Sequence, residues 1–132
     1  MATFFFDNDI SFRIVNALRE LIPPGDHELF ALRDKFPVDT KDTDWIPIVG
    51  NNGWVVISCD ANQRRRDNEH KALTKHGVRA LYIRHSGAPK DLHVDAARII
   101  KCWPKIRDWG SSAKPGTLVR LDTKDQIVPL SK

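Results

Sequence analysis

"FFFDNDIS", Phe4 to Ser11, is an apolar run that stops on two carboxylates. Thr3 to Phe6 is short and continuous, the pattern of a strand buried on both faces. Asp7 and Asp9 then stand at its carboxyl end. Ser11 caps a helix running to about Ile22, with Ile14, Val15, Leu18, Leu21 and Ile22 at helical spacing, until Pro23-Pro24-Gly25 stops it.

Outward from this unit the pattern alternates. His27 to Leu32 reads as a second strand, followed by a polar loop from Arg33 to Thr43. A short helix is expected to begin near Thr43 or Asp44, with Pro47 confined to its first turn, and to close at Asn51-Asn52-Gly53. Trp54 to Ser58 is the clearest strand, and the run ends at Asp60. A polar helix over Asp67 to His76 turns Ala72 and Leu73 inward and is capped by Gly77, before a fourth strand over Arg79 to Arg84. Leu92 to Trp103 reads as a helix with Val94, Ala97, Ile99 and Ile100 as its apolar face, ending near Pro104. Thr117 to Leu121 and Gln126 to Leu130 flank Asp122-Thr123-Lys124-Asp125 as a hairpin. Strands alternating with helices predict an α/β sandwich around a mainly parallel sheet. One domain over 1–132 is expected, with a core of about 1–110 and a C-terminal extension over 111–132.

Composition agrees. Hydrophobic residues at 41% and charged residues at 29% describe a globular chain rather than a disordered one. No apolar stretch reaches the roughly 18 residues of a membrane span, and the N-terminus lacks the features of a signal peptide, so no membrane partner and a cytoplasmic location are expected. The two cysteines, Cys59 and Cys102, form no CxxC pair and fit a reducing compartment. A net charge of +4 is compatible with a polyanionic partner.

In a parallel sheet, ligands gather beyond the carboxyl ends of the strands. Asp7 and Asp9 follow the first strand, Asp42 and Asp44 open the helix after the second, and Asp60 ends the third. Three loops thus deliver carboxylate to one edge. Gathered like charges repel, and hard oxygen donors suit Mg²⁺ or Mn²⁺. Simpler roles exist for each residue: Asp9 as a helix cap, one of Asp42 and Asp44 as another, and Arg64, Arg65 and Arg66 as a solvated run.

Three chemistries use an acid pair after a strand. A phosphatase of the haloacid dehalogenase type matches "FFFDNDIS" apart from Ser11, but its downstream acidic motif is missing. A phospho-accepting receiver domain resembles the order Asp7/Asp9, Asp60, Ser86, Lys114-Pro115, but "RDWGSSA" before Lys114 is no apolar strand and Asp42 and Asp44 have no work. The third is a nuclease. "FFFDNDIS", "DTKDTDWIPIVGNNGWVVISCD" and "RRRDNEHKAL" together resemble a PIN-like domain, of the sort found as toxins of bacterial type II toxin–antitoxin modules, over roughly Thr3 to Arg84.

The resemblance implies a three-layer α/β/α sandwich, here with an added C-terminal β-hairpin, and a Mg²⁺- or Mn²⁺-dependent endoribonuclease. Asp7, Asp42 or Asp44, and Asp60 would be the catalytic, metal-binding carboxylates. Asn62 stands where many such domains carry a fourth acid; Asp9, Asp67 or Glu69 would have to supply it, or the site would hold one metal. Arg64, Arg65, Arg66 and Lys71 are the candidates for RNA contact. A toxin would also require a cognate antitoxin, docking beside the acid cleft with Trp103 and Trp109 as candidate anchors. The hairpin would be an alternative edge for pairing with that partner or with a second copy as a homodimer. A receiver-like or non-catalytic signalling or binding module remains the alternative.

Overall fold

A computed structural model describes residues 2–23, 25–59, 63–84 and 91–130, with residues 63–66 described by their backbone alone. The elements in order are β1 (Thr3–Phe6), α1 (Phe12–Leu21), β2 (Glu28–Ala31), α2 (Leu32–Lys35), α3 (Asp42–Asn52), β3 (Val55–Cys59), α4 (Gln63–Lys75), β4 (Arg79–Ile83), α5 (Leu92–Ser112), β5 (Leu118–Leu121) and β6 (Ile127–Pro129). They form a mixed α/β fold around one six-stranded sheet in the order β2-β1-β3-β4-β5-β6. All neighbours are parallel except β5 and β6.

The triple phenylalanine explains the layering. Side chains alternate across a strand, so Phe4 and Phe6 face one way and Phe5 the other. Phe4 and Phe6 join a cluster with Ile14, Val15 and Leu18 of α1 and Ile99, Trp103 and Ile106 of α5. Phe5 joins a second cluster with Trp45, Ile46 and Val49 of α3 and Leu73 of α4. All three phenylalanines are fully buried, each burial being worth about 1.5–3 kcal/mol. A strand apolar on both faces demands a helical layer on each, and the sequence supplies both.

Local signals behave as expected at several ends. The Ser11 side chain accepts from the Arg13 backbone N–H at the start of α1, and Gly53 takes the left-handed conformation, φ 67°, that closes α3. Elsewhere the structure corrects the sequence reading. The supposed loop after β2 contains α2. Helix α3 starts at Asp42, earlier than expected, so Pro47 lies beyond its first turn. Helix α4 starts at Gln63 rather than Asp67.

The largest correction is α5, which continues through Pro104 to Ser112. Pro104 is exposed, and its missing N–H costs the helix one hydrogen bond. Burial of Cys102, Trp103, Ile106 and Gly110 along the opposite stripe outweighs that loss. Trp103 is therefore a core residue, edge-on to Phe4 with ring centroids 4.9 Å apart. Trp109 is partly buried against the same cluster, so these two residues do not form an exposed docking pair. Val94 and Ala97 are exposed rather than on the apolar face. Gly110 lets α5 approach the sheet: a Cβ there would lie 2.4 Å from Phe4 Cε1.

The C-terminal hairpin is part of the same sheet, because β5 pairs in parallel with β4 and β6 forms the edge. Asp125 adopts a positive φ of 59° in its turn. Arg98 of α5 clamps that turn, donating from Nε to Asp125 Oδ1 at 2.9 Å and from Nη2 to the Asp122 carbonyl at 2.6 Å. Its Nη1 donates to the Arg84 carbonyl just after β4.

Candidate active site

The chain runs from β1 through α1 to β2 on one side, then crosses back to place β3 on the other side of β1. The winding therefore reverses between β1 and β3, the switch point at which open α/β sheets form a crevice at the strands' carboxyl ends. Asp7 is the first residue beyond β1 at that point. Its backbone N–H donates to the Ile57 carbonyl at 3.2 Å, extending the pairing with β3 by one step.

Parity sets which layer the site belongs to. Asp7 lies two residues beyond Phe5 and so shares its face, the one covered by α3 and α4. Ser58 shares the face of Val56, and Tyr82 that of Ala80. Ser58 and Tyr82 are direct register partners on β3 and β4. Three polar side chains thus continue the second apolar cluster toward the carboxyl edge.

The Asp7 carboxylate is 2% exposed. The Ser58 hydroxyl donates to its Oδ2 at 2.5 Å, and the Asp9 backbone N–H donates to its Oδ1 at 3.0 Å. Burial holds the Asp7 carboxyl well above the ordinary carboxylate range. The neighbouring charges of Asp9 and Glu69 push the same way, against the two hydrogen bonds. Glu69, on α4, is itself 5% exposed and accepts from the Tyr82 hydroxyl at Oε2. Burial drives the Tyr82 phenol far above its usual range, and Glu69, Asp7 and Asp42 add to the shift. All three carboxylates therefore act on one phenol.

Asp42 is the first residue of α3, half-buried, with Oδ1 accepting from Trp45 Nε1 at 3.1 Å. The helix N-terminus favours a negative charge there. Asp44 is exposed in the same turn, and Asp9 is partly exposed in the loop after β1. Of the three candidates for a fourth acid, Glu69 is buried beside Asp7, Asp9 is partly exposed and Asp67 is exposed. Lys71 is exposed on α4. Arg64, Arg65 and Arg66 belong to the beginning of α4, but their side chains lie outside the described residues, as does Asp60 entirely.

Sequence reasoning passed over Ser58 and Tyr82. Their signal was present: each is a hydroxyl inside an otherwise apolar strand, at the parity of the acid face. Glu69 also had one, since Leu73 lies one helical turn beyond it and points inward.

Among the described residues, no group of three or more His, Cys, Asp or Glu side chains stands close enough to hold a metal ion. The chemistry of the donors nonetheless fits a divalent cation. Asp7 is a buried carboxylate crowded by other carboxylates, and its hydrogen-bond donors among the described residues are a hydroxyl and a backbone N–H. A hard cation would offset that repulsion.

The sheet order also separates two of the earlier readings. A receiver domain has the same strand order, with its lysine beyond the carboxyl end of the fifth strand. Here Lys114 precedes β5, and Gly116 donates to the Gly77 carbonyl before β4. Lys114 is therefore at the amino edge, across the sheet from Asp7, and Ser86 lies outside the described residues. The receiver-like order of parts is not realised at this lysine.

Among the described residues, no helix is long and apolar enough to cross a membrane. No curated protein and no solved structure gives a significant match to the chain. The model of one family, described as "PIN like domain", matches residues 2–85. That stretch contains β1 to β4 and the whole acid face, and by it the chain belongs to the PIN-like domain family, whose fold is of the nuclease type.

Proposed function

We propose that the chain is a metal-dependent endoribonuclease, and that it acts as the toxin of a toxin–antitoxin pair. The observation that carries the reading is Asp7: a buried carboxylate at the switch point of the sheet, held by Ser58 and crowded by Asp9 and Glu69. Such crowding costs stability and has a purpose if a cation is to be bound.

Asp7, Asp42 and Asp60 would hold Mg²⁺ or Mn²⁺, with Glu69 or Asp9 as the further acid in place of Asn62. When bound, the metal supplies an activated water and charge stabilisation at a scissile phosphate. The residues of the chain do the rest. Asp7 is kept from swinging by its two hydrogen bonds. Asp44, exposed in the first turn of α3, is available to accept a proton from the attacking water. Arg64, Arg65, Arg66 and Lys71 would counter the repulsion between the acid face and the RNA backbone. No protein nucleophile is needed.

A ribonuclease of this kind endangers its own cell, so a cognate antitoxin is part of the proposal. A guanidinium inserted among the carboxylates would take the cation's place. The test is cleavage of a single-stranded RNA by the full chain with Mg²⁺, with Mn²⁺ and with EDTA, repeated for Asp7→Asn and Asp60→Asn. Metal-dependent cleavage lost in both folded variants is expected. Soluble wild-type protein that cleaves no RNA with either metal would overturn the enzyme. Unaffected bacterial growth on expressing an active wild-type chain would overturn the toxin role alone.

A further inference from the structure

Two buried hydroxyls stand side by side beneath the carboxylates. Ser58 and Tyr82 are register partners on adjacent parallel strands, 1% exposed each. Ser58 holds Asp7, which comes from the loop after β1; Tyr82 holds Glu69, which comes from α4. Neither polar group is needed to fill the core. Phenylalanine would occupy the Tyr82 position with its ring edge against His70, where the centroids are now 4.8 Å apart. Alanine would nearly fill the Ser58 position. Burying a hydroxyl costs stability unless it is bonded, and here each bond draws a carboxylate out of water as well. Packing therefore does not explain the pair.

We infer that Ser58 and Tyr82 are positioning residues, a two-hydroxyl platform that fixes Asp7 and Glu69 in the orientation that receives the divalent cation. The inference rests on the metal-dependent reading above. Each hydroxyl engages one carboxylate oxygen and so restricts rotation of the group, while its strand, bonded on both sides, holds the hydroxyl itself. The register match matters. A one-residue slip between β3 and β4 would turn one of the two hydroxyls to the opposite face. Glu69 enters the site from a helix, and Tyr82 is its link to the rigid part of the fold. Outer partners of this sort orient metal ligands, and their loss typically weakens metal binding by about 10–100-fold.

The experiment is Mn²⁺ binding by calorimetry on the full chain without RNA, alongside thermal melts in EDTA. Tyr82→Phe is expected to melt as a folded protein and to bind Mn²⁺ about tenfold or more weakly. Ser58→Ala tests the same device from β3 and is expected to do likewise, with Ser58→Thr restoring affinity. Glu69→Gln should weaken binding, and adding Tyr82→Phe to it should weaken binding no further, because the hydroxyl acts through that carboxylate. Wild-type affinity in folded Tyr82→Phe and Ser58→Ala would overturn the inference while leaving the nuclease reading intact. Wild-type protein that binds no Mn²⁺ would overturn both.

Discussion

The two faces of the sheet are built from the same strands and differ in how they end. Toward α1 and α5 the contacts remain apolar: Phe4 and Phe6 meet Leu18, Trp103 and Ile106, and Gly110 on α5 allows a close approach to Phe4. Toward α3 and α4 the packing begins in the same way, with Phe5 against Trp45 at 5.0 Å between centroids. It then gives way to Asp7, Ser58, Tyr82 and Glu69 at the carboxyl edge. One face holds the domain together, and the other gives up part of its core to buried charge. The difference shows that burial alone does not define a core: the same near-zero exposure stabilises Phe6 and raises the energy of ionised Asp7 one residue later.

The comparison can be broken most forcefully on the apolar face. Phe4→Ala should cost about 3–5 kcal/mol, the usual loss for a large buried aromatic, read from urea unfolding. A loss under about 1 kcal/mol would mean that α5 is not seated on Phe4. Gly110→Ala comes next. The added methyl gains about 1 kcal/mol of helix propensity but overpacks against Phe4, so a net loss of about 1–2 kcal/mol is expected. A stabilised variant would show that α5 can lift away at no cost.

On the acid face the sign reverses. Asp7→Asn should melt higher than wild type in EDTA at neutral pH, because it removes a buried charge repelled by its neighbours. The gain should be smaller than the losses above, because both Asp7 oxygens accept hydrogen bonds, from Ser58 and from the Asp9 N–H, and an amide nitrogen in place of one of them cannot accept, so one bond is lost. The pH dependence follows from the raised carboxyl. The folded state keeps its proton above the pH at which the unfolded chain releases it, about 3.9 for Asp. Asp7's contribution is therefore fully present below that pH and is lost as pH rises through the elevated folded value. Melts of wild type and Asp7→Asn should diverge over that rise and converge in acid; parallel curves would place the raised proton elsewhere.

Asp34 makes the smallest and opposite test. Burial is outweighed there by hydrogen bonds from Arg19, at 2.8 Å, and from the Ala31 N–H, which hold the carboxyl below its usual range. Its contribution is present above about pH 3.9 and is lost as pH falls through the depressed folded value. Both partners are about one-third exposed, so Arg19→Ala should cost only about 0.5–1 kcal/mol at neutral pH, the difference narrowing in acid.

Much of the fold was legible because its signals were local. The triple phenylalanine, the Ser11 cap and the Gly53 stop each act within a few residues. The course of α5 was not, because Pro104 is a local stop signal, and only packing of Trp103 and Ile106 on the distant β1 overrides it. The same holds for Pro47 in α3, where Trp45, Ile46 and Val49 are buried on both sides of the proline in sequence. Acids were readable as a class, since charges at the ends of apolar runs stand out. Their ranking was not: Glu69 and Asp67 look alike along the chain, and only the rotation of α4 buries one and exposes the other. Ser58 and Tyr82 do not stand out along the chain, because tyrosine fits a strand's propensities and one small serine barely interrupts an apolar run.

The Arg98 clamp has a consequence for synthesis. Until residues 118–129 leave the ribosome, β4 is the outer strand of a four-stranded parallel sheet, with its backbone donors and acceptors open to another nascent chain. Helix α5 emerges first, already carrying the guanidinium that will grip the Asp122–Asp125 turn. The helix thus delivers a docking point before the strands that need it, and β4 can pair with the wrong molecule for as long as the 46 residues between Ile83 and the end of β6 at Pro129 take to be made (129 − 83), roughly 2–9 seconds.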